Sequence, residues 1–221
     1  MQKSSSILSF VNDLLIGHPD LTLRATNGDI YDEIFYQLAA DTPDTTSISA
    51  PQLASLADPA KQILARIILD DDRKCYRLFL LMSDGETPGY VLLKVENDAH
   101  SYMADADGTV EIPLDDQVDP VKSVFNLHFP VLAGQATRPV GTEIFKTDDY
   151  SLFIDSNTGQ LIIDLNFASD SPLNQIRSVV ILDEHRKDGK FLQIPLRNGK
   201  AVIQKKEVDN LPLNFILSCY R

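Results

Sequence analysis

The stretch 70–82, DDDRKCYRLFLLM, decides the expected fold class because the spacing of apolar residues changes there. Before it, apolar residues recur every three or four positions, which is the spacing of one helix face. After it, apolar and polar residues alternate, which is the spacing of a half-buried strand. The sequence therefore predicts an α+β protein, with a small helical module over 1–72 and an antiparallel β-sandwich region over 73–221.

Four helices are predicted within 1–72. The first two are amphipathic segments over about 7–16 and 29–40. Pro51 is expected to start a short third helix that ends near residue 56. Asp58 and Pro59 read as an N-cap followed by a first-turn proline, and they predict a fourth helix. Its apolar face would carry Ile63, Leu64, Ile67 and Ile68.

About eleven short strands are predicted after residue 73, and Gly-containing turns separate nearly all of them. Asn198-Gly199 is the strongest two-residue hairpin signal. Because no helices are expected between the strands, the sheets should be antiparallel. Either one large sandwich or two small ones fits, and the boundary between two would fall near 133–141. The strands are expected at 76–82, 90–96, 109–113, 124–131, 143–145, 151–154, 160–167, 177–182, 191–195, 200–204 and 214–219.

Three phrases of the β region carry a family resemblance: ADADGTVEI at 104–112, VVIL at 179–182 and QIPLRNG at 193–199. Together they resemble immunoglobulin-type or carboxypeptidase-regulatory-type sandwich modules, over short pieces of 75–221. Such modules are mostly scaffolds or binding surfaces, so the resemblance implies a sandwich fold and a binding role rather than a reaction. The chain departs from the immunoglobulin pattern because it has no tryptophan and no core cysteine pair.

Composition and charge exclude several classes of function. Twenty Lys and Arg against 32 Asp and Glu give a net charge of −12, which disfavours direct binding to nucleic acid or anionic lipid. No stretch approaches the roughly 20 apolar residues that cross a membrane. The apolar segment 7–16 is a poor signal peptide because Asn12 and Asp13 interrupt it. With only Cys75 and Cys219, and these at the two ends of the β region, a cytoplasmic protein is expected.

Neither a metal site nor a cofactor is predicted. The histidines have no paired spacing, no Cys-x-x-Cys unit occurs, and no Gly-rich phosphate loop is present. Asp105, Asp107 and Glu111, or Asp155 and Asn157, place oxygen ligands at alternate positions in a turn, but neither segment completes a calcium loop. Acidic β-turns explain both better. The four histidines are His18, His100, His128 and His185.

The chain is predicted not to be an enzyme because it lacks a Gly-x-Ser-x-Gly elbow and other common catalytic motifs. The competing hypothesis is a hydrolase whose site assembles from scattered Asp and His residues in sandwich loops. A deep pocket with His100, His128 or His185 beside a carboxylate would favour it. A third hypothesis, an exported structural module, requires a secretion signal that the sequence does not display.

The leading hypothesis is a non-enzymatic protein-binding regulator or adaptor in an intracellular complex. The acidic charge favours a basic partner, such as a nucleic-acid-binding sigma factor held by sequestration. The oligomeric state is left open by the sequence. Expected partner-binding residues are the apolar face of the second helix, with Ile30, Ile34 and Phe35, and a later basic cluster, with Arg186, Lys187 and Lys190.

Overall fold

The computed structural model describes residues 19–26, 52–60, 62–165, 175–183 and 191–221. Within these ranges nearly all regular structure is β-strand. The described helices are a single 3₁₀ turn, Leu114–Asp116, and one short α-helix, α1 (Lys205–Val208). The chain divides into two compact units, which we call the first unit (Pro19–Phe129) and the second unit (Pro130–Arg221).

The first unit is one eight-stranded antiparallel sheet, in the order β6-β5-β8-β1-β2-β3-β4-β7. Strand β1 joins its two halves, because residues 21–23 pair with β8 and residues 24–25 pair with β2. The edge strands β6 and β7 follow each other in the chain and are linked by a turn in which Asp105 N donates to Thr109 O at 2.9 Å. The strands are β1 (Leu21–Ala25), β2 (Gln52–Ala57), β3 (Ile63–Asp70), β4 (Cys75–Met82), β5 (Leu92–Val95), β6 (Ser101–Met103), β7 (Thr109–Pro113) and β8 (Phe125–His128).

The two halves of this sheet bury one common core. Alternate residues of each strand point into it, as the two-residue period of a strand requires. On β3 these are Ile63, Ala65 and Ile67, and on β4 they include Leu78 and Leu80. The other half contributes, among others, Leu93, Tyr102, Phe125 and Leu127.

The predicted helical module is wrong where the structure tests it. The predicted third and fourth helices are the strands β2 and β3. β3 pairs with β4 over eight residue pairs, from Ile63 opposite Met82 to Asp70 opposite Cys75. The segment ILARIILD has apolar residues at helical and at strand spacing, and pairing on both sides of β3 selects the strand. The helices expected over 7–16 and 29–40 lie outside the described residues.

The second unit consists of two four-stranded antiparallel sheets, in the orders β10-β11-β12-β15 and β14-β13-β16-β9. Both contribute to one core that includes Leu152, Leu161, Val179 and Leu217. This arrangement is compatible with the predicted β-sandwich. The strands are β9 (Leu132–Thr137), β10 (Ile144–Lys146), β11 (Tyr150–Ile154), β12 (Leu161–Leu165), β13 (Ser178–Leu182), β14 (Phe191–Pro195), β15 (Lys200–Ile203) and β16 (Asn214–Tyr220).

The turn chemistry read from the sequence is confirmed at Asn198-Gly199. Both residues have positive φ, 51° and 76°, and Arg197 and Lys200 form a bridge around them. This is the backbone that a tight hairpin demands and that Asn-Gly adopts readily. One predicted strand, 124–131, is shorter in the structure, where β8 ends at His128 and β9 starts at Leu132.

Candidate functional site

The most exposed large hydrophobic side chains of the described residues surround the end of β9. Ile144 is 64% exposed, Val140 is 61% exposed and Leu213 is 52% exposed. Leu213 O accepts a hydrogen bond from Arg138 N at 2.7 Å, so Leu213 lies opposite a residue two positions before Val140. Val140 O accepts a hydrogen bond from Glu143 N at 3.2 Å, and Ile144 directly follows this turn. We call Val140, Ile144 and Leu213 the apolar corner.

Strand β9, LAGQAT, is an edge strand that pairs only with β16 among the described strands. It contains no charged residue and no proline. Natural edge strands usually carry such residues because they prevent pairing with another chain. The other three edge strands of this unit each carry one: Lys146 in β10, Pro195 in β14 and Lys200 in β15. β9 is therefore the least protected edge of the second unit.

The backbone of β9 offers hydrogen-bonding groups on its open side. In an antiparallel pair successive residues alternate between bonding the partner strand and facing away. Arg138 N donates to Leu213 O, in the same register as the β9–β16 ladder. Ala133, Gln135 and Thr137 therefore direct their N–H groups away from β16. Of their carbonyls, that of Gln135 accepts the Tyr150 hydroxyl at 3.4 Å.

The surface of β9 is also open to close approach. The side chains of Ala133, Gln135 and Thr137 are exposed. A Cβ atom built on Gly134 would meet nothing within 4 Å. A second extended chain could thus lie along β9 at Ala133 and Thr137, and at Gln135 it would replace the Tyr150 hydroxyl as the partner of the carbonyl.

A histidine–carboxylate pair lies on the hairpin between β5 and β6. His100 Nδ1 is 2.6 Å from Asp98 Oδ1, and His100 N donates to the same oxygen at 3.0 Å. The His100 ring lies parallel to that of Tyr102, with 6.3 Å between centroids. The Tyr102 hydroxyl donates to Asp116 Oδ2 at 2.9 Å.

The charges of this hairpin follow from these contacts. Burial alone would raise the pKa of Asp98, but the hydrogen bonds from His100 outweigh it and leave that pKa lowered. Burial and the bond to Asp116 raise the pKa of Tyr102 well above its usual value. A carboxylate that orients an imidazole is the arrangement of a general base. Asp98 also closes the hairpin turn through its hydrogen bond from His100 N. This bond and the Tyr102–Asp116 hydrogen bond both join residues of the segment 98–116, so they also stabilise local structure.

His128 is a core residue rather than a surface group. It lies at the end of β8 and is almost fully buried. Burial and, to a smaller extent, the charge of Lys94 lower the pKa of His128, Asp20 partly opposes them, and the result is a pKa of about 4. The imidazole is therefore neutral at pH 7. His18 and His185 lie outside the described residues.

The two acidic segments that resemble calcium ligands are turns, as the sequence predicts. Asp105 Oδ1 accepts hydrogen bonds from Asp107 N at 3.0 Å and Thr109 N at 2.8 Å. Asp155 accepts from Asn157 N and from the Thr158 hydroxyl, both at 2.9 Å. These are carboxylates that satisfy turn amides. No group of three or more His, Cys, Asp or Glu side chains that could hold a metal occurs among the described residues.

Both cysteines are free thiols and both are buried. Cys75 begins β4 of the first unit, and Cys219 lies in β16 of the second. Burial raises the pKa of Cys75 to about 11 and that of Cys219 to about 12. At pH 7 both are protonated and weakly nucleophilic.

The structure leaves the expected partner-binding residues untested. The three apolar and three basic residues all lie outside the described ranges: Ile30, Ile34, Phe35, Arg186, Lys187 and Lys190. Sequence reasoning missed β9 and the apolar corner. The sequence does contain one sign of this strand, the run VLAGQAT at 131–137. This run has no charged residue and no proline, although one quarter of the chain is charged.

No helix of the described residues is long and apolar enough to span a membrane. Comparison of the chain with protein-family models, with curated proteins and with solved structures finds no match. Function is therefore inferred from the geometry of β9, the apolar corner and the histidine hairpin.

Proposed function

We propose that this chain is a non-enzymatic protein-binding regulator or adaptor that binds an extended segment of its partner along β9. The observation that supports this proposal is an uncharged edge strand with outward N–H groups beside an exposed apolar corner. Strand addition uses these two features together. Main-chain hydrogen bonds provide affinity, and side-chain contacts provide specificity.

The apolar corner could contribute a substantial part of the binding energy. Complete burial of a Val, Leu or Ile side chain stabilises by about 1.5–3 kcal/mol. Val140, Ile144 and Leu213 are each a little over half exposed. Covering all three would therefore contribute about 3–5 kcal/mol before the entropic cost of association.

The proposed partner is a basic protein. The net charge of −12 favours encounter with a basic surface and disfavours anionic ones. The specific form that we propose is sequestration of a basic nucleic-acid-binding protein, such as a sigma factor, in an intracellular complex. Kinship with immunoglobulin-type or carboxypeptidase-regulatory-type modules is part of the same proposal, because such sandwiches commonly present binding surfaces.

The test is affinity purification of the full chain from native lysate, followed by mass spectrometry, with variants of β9. Ala133→Pro removes one outward N–H from an edge position where proline is tolerated. Ala133→Val keeps that N–H and is the matched control. We expect Ala133→Pro and Ile144→Lys to lower recovery of a stoichiometric partner at least tenfold, and Ala133→Val to retain it. Equal recovery with Ala133→Pro, or a monomeric sizing profile with no stoichiometric partner, would overturn the proposal.

A hydrolase is the second candidate, and the 2.6 Å contact between His100 and Asp98 favours it. His100→Gln keeps a polar group at an exposed position and removes the base. Hydrolysis of a panel of ester and peptide substrates by the parent chain, lost in His100→Gln, would establish an enzyme and contradict the adaptor proposal. Absence of turnover in both proteins would remove this candidate.

A further inference from the structure

Two arginines lie side by side on the face of the first unit's sheet that is opposite to the core described above. The same face carries a second, smaller buried cluster, formed by Ala57, Leu64 and Leu81. Arg66 of β3 pairs with Phe79 of β4, and Arg77 of β4 pairs with Ile68 of β3. Neighbouring pairs of this kind place the two arginines diagonally on the same face, within reach of long side chains. The Arg77 guanidinium lies over the Phe79 ring, with 5.0 Å from Cζ to the centroid.

The charges around this pair are not balanced. Arg77 is 3.9 Å from Asp70 and 4.0 Å from Glu111. Arg73 contacts the same two carboxylates, with a hydrogen bond to Glu111 and a 3.8 Å approach to Asp70. Two arginines thus share two carboxylates. Arg66 has no ion pair with any carboxylate that the structure describes, so its charge is the surplus one.

Both arginines also have an unsatisfied donor. The Nε atoms of Arg66 and Arg77 are buried, and neither has a hydrogen-bond acceptor within the described parts of the chain. Arg66 neighbours two nearly inaccessible side chains, Ser55 on the paired strand and Ile68. An arginine side chain stays charged in proteins, so it cannot remove this cost by losing its proton. The described residues therefore leave these donors without an acceptor, and the surplus charge makes an anionic one most favourable. Because both Nε atoms are buried, the guanidinium groups must turn outward to meet it.

We propose that Arg66 and Arg77 form a binding site for an oxyanion, either a carboxylate or a phosphate group. The planar guanidinium matches two oxygens of such a group through its Nε and Nη edge. Stacking on Phe79 restrains Arg77 before the ligand arrives, so less freedom is lost on binding. The site uses residues of the first unit only and does not depend on β9.

Nuclear magnetic resonance tests this site directly, because arginine Nε–Hε groups give their own signals. The ¹⁵N-labelled full chain is titrated with sodium phosphate, with sodium glutamate as the carboxylate probe, and with sodium chloride at matched ionic strength. We expect saturable shifts of the Arg66 and Arg77 signals with phosphate or glutamate, in the millimolar range or tighter, and not with chloride. The probe that binds with the higher affinity, phosphate or glutamate, shows whether the site prefers a phosphate group or a carboxylate.

Variants assign the effect to the pair. Arg66→Met removes the guanidinium group and is expected to weaken binding of the probe at least tenfold. Arg66→Lys keeps the positive charge but has no Nε donor. Its affinity for the probe should lie between that of the parent chain and that of Arg66→Met. Arg197→Met, at an exposed arginine of the Asn198-Gly199 turn, is the control and should bind as the parent does. No saturation with either probe, equal shifts with chloride, or unchanged binding in Arg66→Met would each overturn the proposal. The titration of the parent chain decides the matter even where a variant does not fold.

Discussion

Asp58 provides the sharpest test of how the first unit is held together. It follows β2 directly, and only 3% of it is exposed. Its Oδ1 accepts a hydrogen bond from Ile63 N at 2.8 Å, and its Oδ2 accepts one from Ala60 N at 2.9 Å. One carboxylate thus closes the turn between β2 and β3. Asp58→Ala removes both acceptors.

The expected cost follows from the two donors that are left. Hydrogen bonds to charged groups contribute about 1.5–3 kcal/mol each. Ala60 is exposed, so its N–H can bind water instead. Ile63 is fully buried, so its N–H would lose the acceptor that Asp58 provides and could not turn to bulk water. Asp58→Ala should therefore lower the free energy of unfolding by about 2–4 kcal/mol. Asp58→Asn keeps one acceptor oxygen and should lose about half as much.

Urea denaturation followed by circular dichroism measures both changes through the midpoint, provided that the slope is unchanged. Asp84→Ala is the matched control, because Asp84 accepts one amide, Glu86 N at 3.1 Å, in an exposed turn. Its removal should cost less than about 1 kcal/mol. Two results would refute the reasoning: Asp58→Ala within about 1 kcal/mol of the parent chain, or Asp58→Asn as unstable as Asp58→Ala.

Three further predictions concern buried groups and turns. The pKa of about 4 for His128 lies below the ordinary 6.5, so the unfolded chain takes up the proton first as the pH falls. Stability should drop by about 3 kcal/mol between pH 6.5 and 4, and a His128→Gln variant that keeps this drop in denaturation curves would contradict it. Cys75 and Cys219 should stay unlabelled by a thiol reagent at pH 8 until urea unfolds the chain, and labelling of the native protein within minutes would be inconsistent with their burial. Gly108→Ala should cost about 1–2 kcal/mol in thermal unfolding because φ is +73° there, whereas Gly134→Ala should cost nothing measurable.

Asp58 also explains why the sequence predicts helices where the structure has strands. A short acidic side chain before proline accepts hydrogen bonds from amides two to five residues later. The same chemistry caps a helix and closes a turn, so the local signal does not separate them. The apolar residues of β3 fit both periods. The hydrogen bonds from β2 and β4 decide between them, and those partners are remote in sequence.

The β region was more predictable because its turns specify their own backbone. Asn198-Gly199 and Asp107-Gly108 both adopt positive φ at glycine, as their residue types indicate. Strand β9 was not predicted, since LAGQAT is poor in β-branched residues and shows little apolar alternation. It is a strand because it pairs with β16. The Arg66–Arg77 site could not be predicted for the same reason: the two residues meet only through the β3–β4 register.

The structure changes what the net charge of −12 implies about a partner. Asp58, Asp105, Asp119 and Asp155 each accept backbone amide hydrogen bonds in turns, so part of the acidic excess serves local structure. Strand β9, in contrast, is neutral, and pairing along it depends on main-chain groups that salt screens little. If β9 provides most of the affinity, the dissociation constant of the complex should change less than about threefold between roughly 50 and 500 mM salt, while the association rate falls. A dissociation constant that weakens by orders of magnitude over this range would instead place the affinity in the acidic surface, and the edge strand would then be a minor contact.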